Sequence, residues 1–416
     1  MRSTANLLRA ATLAAGAVAT AFSGTAAQAQ DKTVTLGVLG AFAGPFAADA
    51  VEGYNGAKLA AKEINEAGGV NGYMFNVEQF DTKEMTPDAV LAAVERLKAT
   101  ENLGAIVTPF GSLSGFEMDY VAEIGVPYMV AANSNQYRSI IQPNPDKFKN
   151  VWSLAPSYDA YQTELPTVIE EMIADGSFDP AEKTYAIIGS DNPYSMPIYA
   201  GLKKAMDAKG WTMTFDDVVP AVEINDWRVI LNKIRAAPPA VIINTEASSS
   251  NAASFMNQFM EEPTESLLFI QYAPSVPEFV DLTKKNSTGV LYNMLGGPIS
   301  ASVRPRTKEI GDKYKAEYGY DSSIYGYICY EMVYLYADIL KTVGDPMDYA
   351  KMSAELAATD KEMVHGRVKF DPETHLSLQG PGYLPIQFYQ IWDGDRVTIY
   401  PKEYATGKSQ TPPWFE

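Results

Sequence analysis

Apolar residues along this chain come in short runs, separated by stretches where they recur every three or four positions. Residues 34–39 (VTLGVL) form a run of strand length, rich in β-branched side chains. A loop over residues 40–50 follows, with Gly44-Pro45 as its turn signal. Then Tyr54, Ala57, Leu59, Ala60, Ala61 and Ile64 repeat with helical period, and Gly68-Gly69 stop the helix. The alternation continues. Strands are expected at 73–80, 105–107, 127–130 and 151–154, with helices at 88–100 and from the turn 110–115 through Ile124. After Ala155-Pro156 a second series begins, with strands at 184–189, 213–219, 240–243 and 267–270. Its helices are expected at 161–175, 197–209, 226–236 and 249–261. Pro166 marks either the true start of the first of these or a kink within it. Residues 306–317, 325–342 and 347–358 read as helices, and 364–370 and 383–392 as strands. Strands alternating with helices predict parallel sheets. Two such series without a fixed period predict an α/β protein of two lobes, each a doubly wound parallel sheet. In such sheets ligands sit beyond the carboxyl ends of the strands.

The ends of the chain and its charge add a location. Arg2 and Arg9, an Ala-rich apolar stretch at 7–22 and the small-x-small pattern Ala27-Gln28-Ala29 predict a signal peptide, residues 1–29, cut after Ala29. The competing reading is a membrane anchor, but the run is short and holds Arg9, Thr12 and Thr20. No later run approaches the ~20 apolar residues that span a bilayer, so a soluble, secreted protein is expected. The net charge of -18 argues against a nucleic-acid partner, whose phosphates need a basic face. The single cysteine, Cys329, lies in an apolar helical run and reads as a buried small hydrophobe.

The motifs of covalent chemistry are missing. Gly111-Ser112-Leu113-Ser114-Gly115 has Leu113 where a nucleophile elbow needs serine. The two histidines, His365 and His375, lie far along the chain from the strand-to-helix loops and read as surface or hydrogen-bonded structural residues. No P-loop or dinucleotide fingerprint occurs, and the two acids of Asp371–Glu373 fall short of a calcium loop. No catalytic residue, metal or cofactor is therefore expected. Recognition remains. Ser112, Ser114 and Ser134 sit where strands give way to helices, and hydroxyls and free N–H groups there suit an anion or a carbonyl oxygen. Ordinary helix capping explains them equally well. Asp191-Asn192-Pro193-Tyr194 follows a strand of the second series, and Glu246 and Tyr272 follow the next two. Phe42, Phe46 and Asp49 occupy the first loop.

Three segments carry a family resemblance: residues 40–45 (GAFAGP), residues 54–57 (YNGA) and residues 64–72 (INEAGGVNG). At this spacing the chain resembles the periplasmic solute-binding proteins of ABC importers, of the branched-chain amino acid and amide-urea type. The resemblance runs through most of the chain beyond residue 29. It implies a periplasmic binding protein type I fold that closes like a Venus flytrap, with the chain crossing between lobes three times. The crossings are expected near Leu154, Leu291 and Gln390. Lobe one is then 30–154 with 291–390, and lobe two is 155–290 with 391–416 as a C-terminal tail. The resemblance also implies that Gly111, Ser112, Ala132 and Ser134 hold the polar head of a ligand. The family's serine falls on Gly111, with Ser112 beside it. Tyr194 is implied as a covering tyrosine. An aromatic is usual near Asp49, where an acid changes the pocket chemistry. Amino-acid binders hold the ammonium with a glutamate that falls near Ala273 here. Either Glu246 or Asp49 takes that role, or the ligand lacks an ammonium. Phe42, Phe46, Tyr194 and Tyr272 could line a pocket for an amide or an aromatic acid. The expected function is capture of a small polar solute (an amino acid, amide, urea or small carboxylic acid) by a monomer that delivers it to a membrane permease. The rivals are a secreted α/β hydrolase using Ser112 or Ser114, and a cytosolic sensor of the same fold.

Overall fold

The computed structural model describes residues 32–44, 46–132, 134–380 and 382–415, with the side chain of Ser134 left aside. The expected signal peptide lies outside the described residues. The first sheet is built from β1 (Lys32–Gly40), β2 (Tyr73–Asp81), β3 (Leu103–Thr108), β4 (Tyr128–Val130) and β5 (Val151–Ser153). All pair in parallel, in the order β2-β1-β3-β4-β5. The second sheet takes β6 (Thr184–Asp191), β7 (Thr212–Pro220), β8 (Val241–Asn244), β9 (Leu267–Ile270) and β10 (Leu291–Leu295) in the corresponding parallel order, β7-β6-β8-β9-β10. After β10 in sequence comes a small hairpin, β11 (Asp360–Met363) with β12 (Gly366–Lys369). Two antiparallel strands, β13 (Ile386–Trp392) and β14 (Asp395–Tyr400), complete the second sheet beyond β10.

Burial explains which runs become which strands. The central strands β3, β8, β9 and β10 are buried at every position, as uninterrupted apolar runs require when helices cover both faces. The edge strands β2 and β7 expose alternate or successive residues. In each sheet the winding reverses beside its first strand, between β1 and β3 and between β6 and β8. A doubly wound sheet opens its binding crevice there.

Three expectations are corrected. The crossings placed at Leu291 and Gln390 fall inside β10 and β13, two paired strands of the second sheet. The chain leaves that sheet after Leu295 and returns before Ile386. An apolar run specifies a strand but not which sheet it joins. The strand expected at 364–370 is present as β12, but as the second arm of a hairpin whose first arm, β11, falls where no strand was expected, with Gly366 at φ 132 just past the turn. The helix expected at 161–175 is two helices, Asp159–Thr163 and Leu165–Asp175, and Pro166 opens the second.

The helices Pro305–Tyr318, Ile324–Val343 and Tyr349–Ala357 return to the first lobe, where Ile324–Val343 packs on the helix Ala47–Glu66 and on β3. Glu63 ties this layer together by accepting from Tyr330 (2.9 Å), Tyr334 (3.0 Å) and Lys313 (2.9 Å). At the centre the two long helices touch through backbone. A Cβ added to Gly56 would lie 2.0 Å from the Gly326 carbonyl oxygen. Gly56→Ala is therefore expected to push the helices apart and cost about 1–3 kcal/mol. A urea midpoint unchanged from the parent would refute this contact.

Three strands of chain join the lobes, near residues 154–158, 296–300 and 377–385. They are laced together: Ser153 N donates to His375 O (2.9 Å), Ser377 N to Ser153 O (3.0 Å) and Gly296 N to Pro385 O (3.2 Å). The histidines belong to this region. His375 stacks on Trp152 at 4.0 Å and its Nδ1 lies 3.1 Å from Val151 O. His365, expected at the surface or hydrogen-bonded, is fully buried and neither ring nitrogen has a hydrogen-bond partner among the described residues.

Candidate functional site

The carboxyl ends of β1, β3 and β4 face those of β6, β8 and β9, and two adjoining cavities lie between them. The inner one has a volume of about 20 Å³, room for roughly one water-sized group. The first lobe lines it with Phe46, Asp49, Phe110, Leu113, Ala132 and Tyr325. The hinge and second lobe add Tyr158, Tyr194, Ala247 and Tyr272. The outer cavity, about 620 Å³, shares Phe46 and Leu113 with it. Its first-lobe wall includes Ala41, Lys83, Glu84, Ser112 and Ser114, and its second-lobe wall Asn192, Glu223, Glu246, Ser248 and Asn251.

Asp49 enters the inner cavity because the helix Ala47–Glu66 begins just ahead of it and places an acid in its first turn. Its carboxylate is buried and accepts a hydrogen bond from Tyr272 Oη at 2.7 Å, a bond that bridges the lobes. Desolvation pushes the Asp49 pKa up to about 7, because the tyrosine hydroxyl offsets only part of the burial and Glu278 adds repulsion. Its helical neighbour Glu52 is also raised to about 7 by burial, although it accepts from Ser323 N at 2.7 Å.

Tyr272 is presented by an unusual backbone. With φ 60 and ψ -55, and Ala273 N donating to Gln271 O at 2.7 Å, it is the centre of a γ-turn with positive φ. Such a conformation costs on the order of 1–3 kcal/mol and persists where packing holds it. Here the Tyr272 ring lies 6.2 Å from Tyr325 and its hydroxyl is on Asp49. Tyr194 packs edge-on against Tyr158 at 5.3 Å, and its hydroxyl meets Gln271 Oε1 at 2.9 Å.

In the outer cavity Glu246 accepts from Ser248 N (2.9 Å) and Asn251 Nδ2 (3.3 Å), and burial raises its pKa. Ser112 is held from behind. Its hydroxyl is bonded to Glu117, which is buried and also accepts from Tyr137 Oη (2.8 Å) and Tyr128 Oη (3.2 Å). Gly115 N donates to Ser112 Oγ at 2.9 Å, closing the turn.

Of the nine residues singled out from sequence, Asp49, Ala132, Tyr194 and Tyr272 line the inner cavity, and Ser112 and Glu246 the outer. Gly111 lines neither. It packs under Leu39 and Glu117, where a Cβ would come within 2.8 Å of Leu39 Cδ2. Phe42 also lines neither; its ring packs edge-on against Tyr54 at 6.1 Å, and Phe46 faces the cavities instead. Ser134 opens the helix Ser134–Ile141, and its side chain lies outside the described residues. The aromatics Phe110, Tyr158 and Tyr325 were not singled out. Tyr325 sits in the distant helical segment and reaches the cavity only through the return of the chain to the first lobe. Neither histidine lines either cavity, and no group of three potential metal ligands occurs among the described residues.

Comparison with known proteins agrees with this geometry. A model of the periplasmic binding protein family matches residues 33–385. The Leu/Ile/Val-binding protein homolog 7 of Brucella abortus is 23% identical over 395 residues, spanning 91% of this chain and 94% of the relative. Among solved structures, a putative branched-chain amino acid ABC transporter from Silicibacter pomeroyi superposes with a TM-score of 0.79 at 27% identity, covering 92% of this chain and all of that one. LivJ from Streptococcus pneumoniae, solved in complex with isoleucine, has a TM-score of 0.71 at 19% identity, covering 89% of this chain and 100% of that chain.

Proposed function

Because the chain belongs to the periplasmic binding protein family, we propose that it is the solute-capturing component of an ABC importer, working outside the cytoplasm as a monomer. It closes two lobes around one small polar solute and presents the closed form to a membrane permease. One observation carries this reading: each cavity has one wall from the strand ends of the first sheet and the other from those of the second. Contacts from both walls exist together only when the lobes are shut. A ligand that makes them shifts the population toward the closed state, the behaviour known for periplasmic binding proteins as a class. The reading needs no catalytic step, cofactor or metal.

The names of the relatives point to aliphatic amino acids. The linings favour a solute with an amine or amide over a plain carboxylic acid. Among the described residues that line them, Lys83 is the one basic group, against Asp49, Glu84, Glu223 and Glu246. A thermal-shift screen of amino acids, amides, urea, amines and aromatic acids tests the proposal. A binder present at a hundred times its Kd should add about 2.7 kcal/mol of stability. X-ray scattering on the same binder should show the protein no larger than its free form, with unchanged secondary structure. A folded protein that no member of the screen stabilises would count against solute capture.

A further inference from the structure

Resting on that reading, we propose that the inner cavity is an ammonium site. The solute this protein carries is then an organic cation, an aliphatic amine or alkylammonium, whose charged end is held by Asp49 and the surrounding tyrosine rings. Three observations converge. The first is the wall: Phe46, Phe110, Tyr158, Tyr194, Tyr272 and Tyr325 put six aromatic rings around one space. Ring faces carry negative charge density and attract a desolvated cation more strongly than an exposed one.

The second is charge. Among the described residues no Lys, Arg or His lines the inner cavity, and the Asp49 carboxyl meets the hydroxyl of Tyr272. The other ionisable groups that act on it have the same sign or none: Glu278 from the helix Pro277–Thr283, Glu52 from its own helix, and the hydroxyls of Tyr272 and Tyr325. Closing the lobes on an uncharged guest leaves a carboxyl buried without a counter-charge, which its upward-shifted proton affinity records. An ammonium supplies that counter-charge.

The third is size and surroundings. The space of about 20 Å³ matches one ammonium group. The rest of the solute would extend past Phe46 and Leu113 into the outer cavity, where Glu84, Glu223 and Glu246 outnumber Lys83. That balance suits a cation better than a zwitterion. Ser112, one of the residues expected to hold a ligand's polar head, has its hydroxyl engaged with Glu117 and Gly115.

Calorimetry on the full-length folded protein tests this with matched pairs: n-butylammonium against butan-1-ol, choline against 3,3-dimethylbutan-1-ol, and leucine methyl ester against N-acetyl-leucine. The cationic member of at least one pair should bind tenfold or more tightly than its neutral or anionic counterpart. Asp49→Asn, which keeps an acceptor for Tyr272 and removes only the charge, should erase that preference. Preference for no cation, or a cation preference that survives Asp49→Asn and disappears in Glu246→Gln, would overturn the assignment. Tight binding of urea, an amide or leucine with all cationic probes silent would overturn it too, and would leave solute capture standing. Silence of every probe, leucine and amides included, would remove both.

Discussion

Glu117→Ala should destabilise the protein by about 3–5 kcal/mol, although Glu117 lines neither cavity. Its carboxyl is buried without a cation, and three hydroxyls depend on it: Ser112 on one oxygen, Tyr128 and Tyr137 on the other. Removing the acceptor takes the shared carboxyl from all three hydroxyls, leaves the two tyrosines a long contact of 3.4 Å with each other, and opens a cavity beside Gly111. It also frees the turn at residues 111–115 that sets Ser112 on the cleft wall, so ligand affinity should fall together with stability. Glu117→Gln behaves differently on this account. Burial raises the Glu117 pKa more than the hydroxyls lower it, so the site favours a neutral group. Glutamine keeps the carbonyl oxygen for the tyrosines and offers an amide to Ser112 Oγ. Its urea midpoint should stay within about 1 kcal/mol of the parent. A glutamine variant as unstable as the alanine one would mean that the carboxylate must be ionised.

Much of the scaffold could be read from local patterns. The run at 34–39 became β1 because its side chains are buried on both faces of a parallel sheet, and Gly68-Gly69, both at positive φ, end the helix after it. Such signals are local and survive in any context. The sheet that a strand joins is not local: β10 and β13 pair with each other and with β9, and nothing in their own residues names the partner. The site divides the same way. Tyr194, Glu246 and Tyr272 follow strand ends within three residues, and Asp49 lies in the first turn of the helix after the β1 loop, so alternation pointed near them. Tyr158 in the hinge and Tyr325 in the returning helix reach the inner cavity through the crossings, which only the assembled fold displays. Phe42 and Phe46 show the limit of loop reading. Gly44, at φ 79, turns the chain between them, so one ring goes to Tyr54 and the other to the cleft.

Asp49→Asn should be more stable than the parent above pH 7, by on the order of 4 kcal/mol, and most of the gain should be gone near pH 4. The sign follows from proton counting. Asp49 titrates near 3.8 when unfolded and near 7 when folded. Between those values the native state holds a proton that the unfolded chain has released, so this group's contribution to stability falls as pH rises, and levels off above 7. Asparagine never ionises and escapes that loss. The parent's own pH profile is a poor readout, because His365 works in the opposite direction. Burial lowers its pKa to about 3, so its contribution rises with pH up to its unfolded value near 6.5. The difference between variant and parent cancels that background. It does not cancel Glu52, which Asp49 raises by repulsion, so the slope belongs to the pair and Glu52→Gln should take up the remainder. Urea midpoints of the parent, both single variants and the double variant from pH 4 to 8 give the measurement. A difference that stays flat with pH would mean that Asp49 is ionised in the closed cleft, with a cation or water reaching it. Adding n-butylammonium should flatten it in just that way if the inner cavity takes a cation, because bound ammonium returns the Asp49 carboxyl toward its ordinary range.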